Sequence, residues 1–354
     1  MRQLKPLHAL ALAALIVSAC GSASSSSSGG AKQVSISFVY SLRLLNAMQE
    51  MVMGARAAAR ATPGVTFAAD TPQETGIDGP AQVKTFQTAT RTAKDGVALV
   101  TPVPDVFIGP LRQAHSSGIP IVAVDTPPPP NTDVRTFVGN SNFEVGQLLA
   151  TEILKQIPVG TAGEVLVGTE VPGFVVLDQR IIGMLQVIRQ QRPTVTIVGP
   201  FNSHITPSEN LAAWTAEVAQ HPHALAYLAP ADLDAVSLAH IQVQTGRHLL
   251  VGGCDLEADG LQAIKNGYVY ALASPEHWLK GYISVRLLAE HAQSSKALPS
   301  GWWNPGALVV DKSNVDDIIA RQHDEASRTS WFKAVVDRQL AHQGEYLKPL
   351  SAAT

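Results

Sequence analysis

The sequence predicts an α/β fold of two doubly wound parallel-sheet lobes joined at a hinge, and three observations carry that expectation. Short apolar runs rich in β-branched residues alternate with helix-length amphipathic stretches over most of the chain, the signature of parallel strands with helices on both faces. One run, 119–124, ends on Asp125 and is followed at once by Pro127-Pro128-Pro129-Pro130, which has no backbone donors with which to continue a ladder. A second run, 136–138, then leads into Gly139-Asn140-Ser141-Asn142, where Ser141 and Glu144 have the spacing of a capping box for a helix over 142–156. At this point the chain leaves one sheet and starts another.

The strands and helices follow in order. Residues 34–40 read as the first strand and 47–61, rich in Ala and Met, as the helix after it, with the turn from Ser41 to Asn46 at a strand end. Strand 65–69, helix 81–93, strand 97–101 and helix 106–117 lead to the strand that bears Asp125. Ligands of open α/β sheets bind beyond the carboxyl ends of strands, so Asp125 is expected to face a cleft, with little effect on stability if removed. The second half repeats the pattern with strand 164–168, helix 175–191, strand 195–199, helix 207–220 and strand 225–228. Asp232 is then placed to cap a helix over 233–245. Strand 249–252 runs into Gly253-Cys254-Asp255, strand 268–273 follows, and Ser274-Pro275-Glu276-His277-Trp278 opens another helix. A last strand, 307–310, comes after the exposed-looking Trp302-Trp303 pair, and helices over 316–323 and 330–343 close the chain.

Length and charge narrow the function classes. The 354 residues are enough for two lobes with cores of ordinary size. A net charge of −3 with scattered Lys and Arg gives no basic footprint for nucleic acid. Residues 1–20 read as a lipoprotein signal peptide: Arg2 and Lys5 precede an apolar stretch too short to span a bilayer, and Val17-Ser18-Ala19-Cys20 resembles a lipoprotein cleavage box with Cys20 as the lipidated residue. Residues 21–33 form a Ser/Gly-rich tether with a reach of about 20 Å. Cys254, the second of two cysteines, then has no disulfide partner and reads as a small buried hydrophobe.

Catalytic and metal motifs are absent. There is no GxSxG, HExxH, P-loop or GxGxxG, and His221-Pro222-His223 reads as a solvated pair. The run from Asp255 to Gly260 has Asn266 where a calcium loop needs a bidentate glutamate. No enzyme activity, metal or cofactor is expected.

The sequences GIPIVAVDT (118–126) and VGNSNFEVG (138–146) resemble the periplasmic sugar-binding proteins of the ribose-binding type, a type I, LacI-like family, and the resemblance extends over about 34–314. It implies the type I periplasmic binding protein fold with a three-crossing hinge. The expected N-terminal lobe is 34–138 plus 275–293; the expected C-terminal lobe is 139–274 plus 294–354, including a helical extension. The resemblance also implies that ligand meets Asp125, Arg180, Asp255 and the turn carrying Ser41 and Asn46, with Trp278 as an aromatic wall. Departures are the lack of a ring between Leu44 and Met48, Ala231 where the family has asparagine, and no glutamine near Ala273 or Ser274. The implied function is an extracytoplasmic solute-binding lipoprotein that captures a monosaccharide or related polyol and delivers it to an ABC permease and ATPase complex. The alternative is a ligand-sensing receptor subunit for a membrane histidine kinase. A hydrolase of envelope glycans would need Asp125 and Asp255 as its carboxylate pair.

Overall fold

The computed structural model describes residues 32–74 and 76–353. Cys20, the signal peptide and residues 21–31 of the tether lie outside the described residues.

The first half of the chain runs β1 (Val34–Val39), α1 (Asn46–Arg60), β2 (Val65–Asp70), α2 (Gly79–Thr92), β3 (Gly96–Leu99), α3 (Ile108–Ser116), β4 (Ile121–Val124) and β5 (Thr136–Val138). The strands β3, β4 and β5 are buried along their whole length, as continuous apolar runs are in a parallel sheet covered on both faces. The next segment runs α4 (Asn142–Leu154), β6 (Gly163–Thr169), α5 (Val175–Gln191), β7 (Val195–Asn202), α6 (Pro207–Gln220), β8 (Ala226–Leu228), α7 (Leu233–Thr245), β9 (Val251–Cys254), α8 (Ala258–Asn266) and β10 (Ala271–Ser274). Ser141 starts α4 by accepting from the Glu144 N–H at 3.1 Å. The chain ends with α9 (His277–Ser294), β11 (Gly301–Trp303), β12 (Leu308–Asp311), α10 (Val315–Gln322), α11 (Glu325–Ala341), α12 (Gln343–Tyr346) and β13 (Leu347–Lys348).

These strands form two sheets. The first has the order β13-β11-β5-β4-β3-β1-β2 and the second β12-β10-β9-β8-β6-β7. All neighbours pair in parallel except β12 against β10 and β13 against β11. The architecture is the type I periplasmic binding protein fold.

The C-terminal segment corrects the expected boundary. Residues 294–354 do not all belong with the second sheet, because β11 pairs with β5 and β13 with β11 in the first. The Trp302-Trp303 pair is buried, not exposed. Trp302 Nε1 donates to the Gly139 carbonyl at 2.5 Å, and Trp303 Nε1 to Gln339 Oε1 at 2.9 Å. Two indoles that satisfy their N–H groups inside the protein hold this strand on the first lobe. The chain passes between the sheets at β5–α4, β10–α9 and β11–β12, and α10–α11 adds a further passage. There Phe332 and Val336 of α11 pack on Trp278 and Leu279 of α9.

In each lobe one helix pair lies backbone to backbone. A Cβ on Gly54 of α1 would sit 1.9 Å from the Trp278 carbonyl oxygen, and one on Gly281 of α9 would sit 1.8 Å from that of Met51. The α4–α5 pair repeats the arrangement: a Cβ on Gly146 would sit 1.8 Å from the Arg180 carbonyl oxygen and one on Gly183 2.1 Å from that of Phe143. These contacts fix the helices that carry the polar side chains of the seam between the lobes.

Candidate functional site

The two strand-end acids occupy equivalent positions. Asp125 follows β4 with φ 62°, and Asp255 follows β9 with φ 67°. This left-handed region is accessible to Asp at modest cost. Each turns out of its strand after one more cross-strand bond, Asp125 N–H to the Val138 carbonyl and Asp255 N–H to that of Ala273, both at 2.9 Å. Both carboxyl groups line one cavity between the lobes.

Basic side chains from two helices complete the cluster. Lys280 Nζ on α9 donates to Asp125 Oδ1 and stands 3.2 Å from His277 Nδ1. His277 Nε2 is 2.6 Å from Asp255 Oδ1. Arg180 Nη1 on α5 donates to Asp255 Oδ2 at 2.9 Å and to the Pro230 carbonyl at 2.6 Å, while its Nε donates to Asn142 Oδ1 at 3.0 Å. A neutral imidazole with its proton on Nε2 satisfies both neighbours, donating to Asp255 and accepting from Lys280. The cluster thus forms a continuous chain from Asp125 in the first lobe to Asn142 beyond the hinge.

Burial and charge act against each other here. Burial, the largest influence on each, would raise the pKa of Asp125 and Asp255, but Lys280, His277 and Arg180 together outweigh it at Asp125, and Arg180 with His277 at Asp255, so both carboxyls lie below the usual range. Burial, then Lys280, pushes His277 down. Burial also lowers Lys280, against the pull of Asp125. Cys254 lies in the core, and burial pushes its thiol up to about 12, which leaves it unreactive.

The structure brings Asp125, Arg180 and Asp255 together and places the other expected site residues differently. Asn46 donates from Nδ2 to the Leu256 carbonyl at 2.7 Å, bridging α1 and the strand end of β9. Ser41 is buried, with no hydrogen bond from its Oγ among the described residues. Trp278 is not a cavity wall: its ring stacks on Tyr282 and on Phe332, each at 4.9 Å, so it faces α11. Asp232 makes no side-chain cap either; the first N–H of α7, that of Leu233, donates instead to Glu170 Oε1 at 2.8 Å.

Sequence reasoning missed His277, Lys280, Asn142 and Phe174. Phe174 lines the cavity together with Leu45, Met48 and Leu177, and so supplies the ring that the turn after β1 lacks. The signal for His277 and Lys280 was their i, i+3 spacing in a helix otherwise apolar on that face. The cavity is ≈ 10 Å³, room for about one water. Admission of anything larger requires the lobes to part. His221 Nδ1 meets Glu164 Oε2 at 2.8 Å, so that histidine has an acid partner. Among the described residues no group of three or more His, Cys, Asp or Glu could hold a metal ion, and no helix is long and apolar enough to cross a membrane.

Paired lobes, a strand-end acid from each and a shared cavity behind several chain passages define a two-lobed ligand-binding protein. The family model described as a periplasmic binding protein domain matches residues 38–296, and the chain belongs to that family. It is a binding protein and not an enzyme, and the family's place is extracytoplasmic. Among curated proteins, none matches the chain. The fold is similar to that of an ABC transporter solute-binding protein from Burkholderia graminis in complex with D-arabinose, at 21% identity, 80% of this chain, 97% of that one and TM-score 0.71. An Agrobacterium vitis solute-binding protein with bound D-fucose gives 22%, 80%, 97% and 0.71. A periplasmic ribose ABC transporter protein from Conexibacter woesei gives 20%, 82%, 95% and 0.68.

Proposed function

We propose that the protein captures a small hydroxyl-rich solute, a monosaccharide or related polyol, between its lobes and delivers it to an ABC importer while held at the membrane through Cys20. The observation that carries this reading is the Asp125–Lys280–His277–Asp255–Arg180 chain at the lobe seam. Two carboxylates accept hydrogen bonds from hydroxyls, and an ammonium and a guanidinium donate to ring and hydroxyl oxygens. Phe174, Leu45, Met48 and Leu177 offer apolar faces to the C–H groups of the ligand. When the lobes part, the His277–Asp255 contact across the seam is lost while Lys280–Asp125 and Arg180–Asp255 stay within their own lobes, and a sugar hydroxyl takes the place of the broken contact on closing. The sugars named with structurally similar proteins support the same solute class.

A thermal-shift screen of the purified protein against pentoses, hexoses and polyols tests the reading. A binding solute raises the apparent stability by mass action, by about 2.7 kcal/mol at a hundred times its Kd. Small-angle scattering with the best solute should show closure as a fall in radius of gyration. If no member of the set moved the melting temperature at millimolar concentration, the sugar reading would be wrong.

A further inference from the structure

Next to the seam lies a second pocket of ≈ 360 Å³, lined mainly by the second lobe and by the β1–α1 turn of the first. Its acidic wall is made by Glu170, Asp232, Glu257 and Asp259, its apolar wall includes Leu44 and Leu45, and no lysine or arginine lines it. Asp232 lines the interlobe cavity as well. Its carboxyl group therefore stands where the two spaces adjoin. The residue is only 7% exposed. It gives no side-chain cap to α7, and among the described residues no other residue donates a hydrogen bond to its carboxyl. A carboxyl buried this far without a side-chain partner is costly unless something else meets it.

Charge distinguishes the two spaces. In the seam, Asp125 is matched by Lys280 and Asp255 by Arg180. The second pocket has no such balance. Burial, then Asp255 and Glu257, push Asp232 up to about 8; burial and Asp234 raise Glu170 far above its usual value; burial and Asp259 raise Glu257. Carboxyls that hold protons against one another are groups that a cation would allow to ionise. The acids here do not form a metal-binding group, which favours an organic cation over a metal ion.

We infer that Asp232, backed by Glu170, Glu257 and Asp259, is a subsite for a primary ammonium carried by the ligand. The inference rests on the sugar reading and makes that ligand an amino sugar. Its hydroxyls meet the charge-balanced seam, and its ammonium extends into the acidic pocket and forms charge-assisted hydrogen bonds there.

Titration calorimetry at pH 7 with matched compounds tests this: D-glucose, D-glucosamine and N-acetyl-D-glucosamine, and the same three forms of D-galactose. The amino sugar of at least one set should bind ten-fold or more tighter than its parent, and acetylation should remove that advantage. Asp232→Asn, and separately Glu257→Gln in case the first variant folds poorly, should each narrow the ratio of amine to parent to three-fold or less. If parents bind and amines bind no better, this inference fails while the sugar reading stands. An amine preference that both variants leave intact would also overturn it. If neither parents nor amines bind, the inference and the sugar reading fall together for these sets.

Discussion

His277 Nε2 stands 2.6 Å from Asp255 Oδ1, and this contact ties the helix that returns the chain to the first lobe to a strand end of the second. Burial, then Lys280, lowers the His277 pKa, so below about 6.5 the unfolded chain takes up a proton that the folded chain does not. The contribution of this group to stability is complete above about 6.5 and is lost progressively as pH falls from there through its lower folded pKa. Asp255, held low by Arg180 against burial, acts with the same sign further down, complete above about 4 and lost in stronger acid. Between pH 7.5 and 5.5 the wild type should therefore lose more stability than His277→Gln. Urea unfolding of both proteins at the two pH values measures the difference, and parallel losses would show that folding does not lower the His277 pKa.

Asp125→Ala should be strongly destabilising. The sequence suggests an exposed cleft acid whose loss hardly affects stability, but the residue is 1% exposed and its carboxylate neutralises the fully buried Lys280. Removing one member of a buried ion pair costs about 3 to 5 kcal/mol, because the other is left uncompensated. Asp125→Asn combined with Lys280→Met removes both charges and should recover most of that loss. Denaturant midpoints of the single and double variants decide it; equal losses would mean that Lys280 already sits neutral.

These two cases mark what was legible in the sequence. Asp125 could be placed because a strand end is a local feature, while Arg180 and Asp255 came from the family resemblance of their positions. The alternation of apolar runs likewise gave both sheets. That Lys280 meets Asp125 depends on a contact between residues 155 positions apart, which no local pattern encodes. Trp278 was misplaced for the same reason, since the ring that stacks on it, Phe332, arrives from the C-terminal helix α11. Asp232 has the residue type and position of a cap but makes no cap hydrogen bond, and the side chain that meets the first N–H of α7 is Glu170, from the end of another strand.

Cys20→Ala should release the protein from the membrane or block its processing. One acyl chain binds a bilayer only marginally, and two or more anchor it stably. Detergent phase partitioning reads the outcome, and an unchanged split between phases would count against lipidation at Cys20.

Glu50→Gln should stabilise the protein at alkaline pH. Burial raises Glu50 to about 7 despite Arg321 and Arg328, because Arg321 is committed to Glu276 at 3.0 Å and Arg328 stands 3.9 Å away. The folded protein keeps a proton there that the unfolded chain has released, so this contribution is present below about 4.5 and lost as pH rises through about 7. A shift from 4.5 to about 7 corresponds to the order of 3 kcal/mol. Gln keeps a carbonyl to accept from Gln322 Nε2 without the charge. The variant should be the more stable protein at pH 8 and differ little at pH 5, by denaturant unfolding at each pH.

Gly183→Ala should damage the fold and the ligand site together. A Cβ at this position would lie 2.1 Å from the Phe143 carbonyl oxygen, and the facing Gly146 would place one 1.8 Å from that of Arg180, so α4 and α5 cannot separate locally without moving Arg180 itself. The obstacle is main chain, which cannot swing aside as a side chain can. Overpacking of this kind costs about 1 to 3 kcal/mol. Arg180 holds Asp255, Asn142 and the Pro230 carbonyl at once, so a shift of its helix also loosens the seam. Gly109 in α3 provides the contrast, with nothing within 4 Å of an added Cβ. Alanine there should stabilise by about 0.5 to 1 kcal/mol through helix propensity alone. Melting temperatures should thus move in opposite directions for the two variants, and only Gly183→Ala should weaken binding of the solute found in the thermal-shift screen. If Gly183→Ala lowered stability but left affinity intact, the helix contact would serve the fold alone and Arg180 would keep its place by its hydrogen bonds.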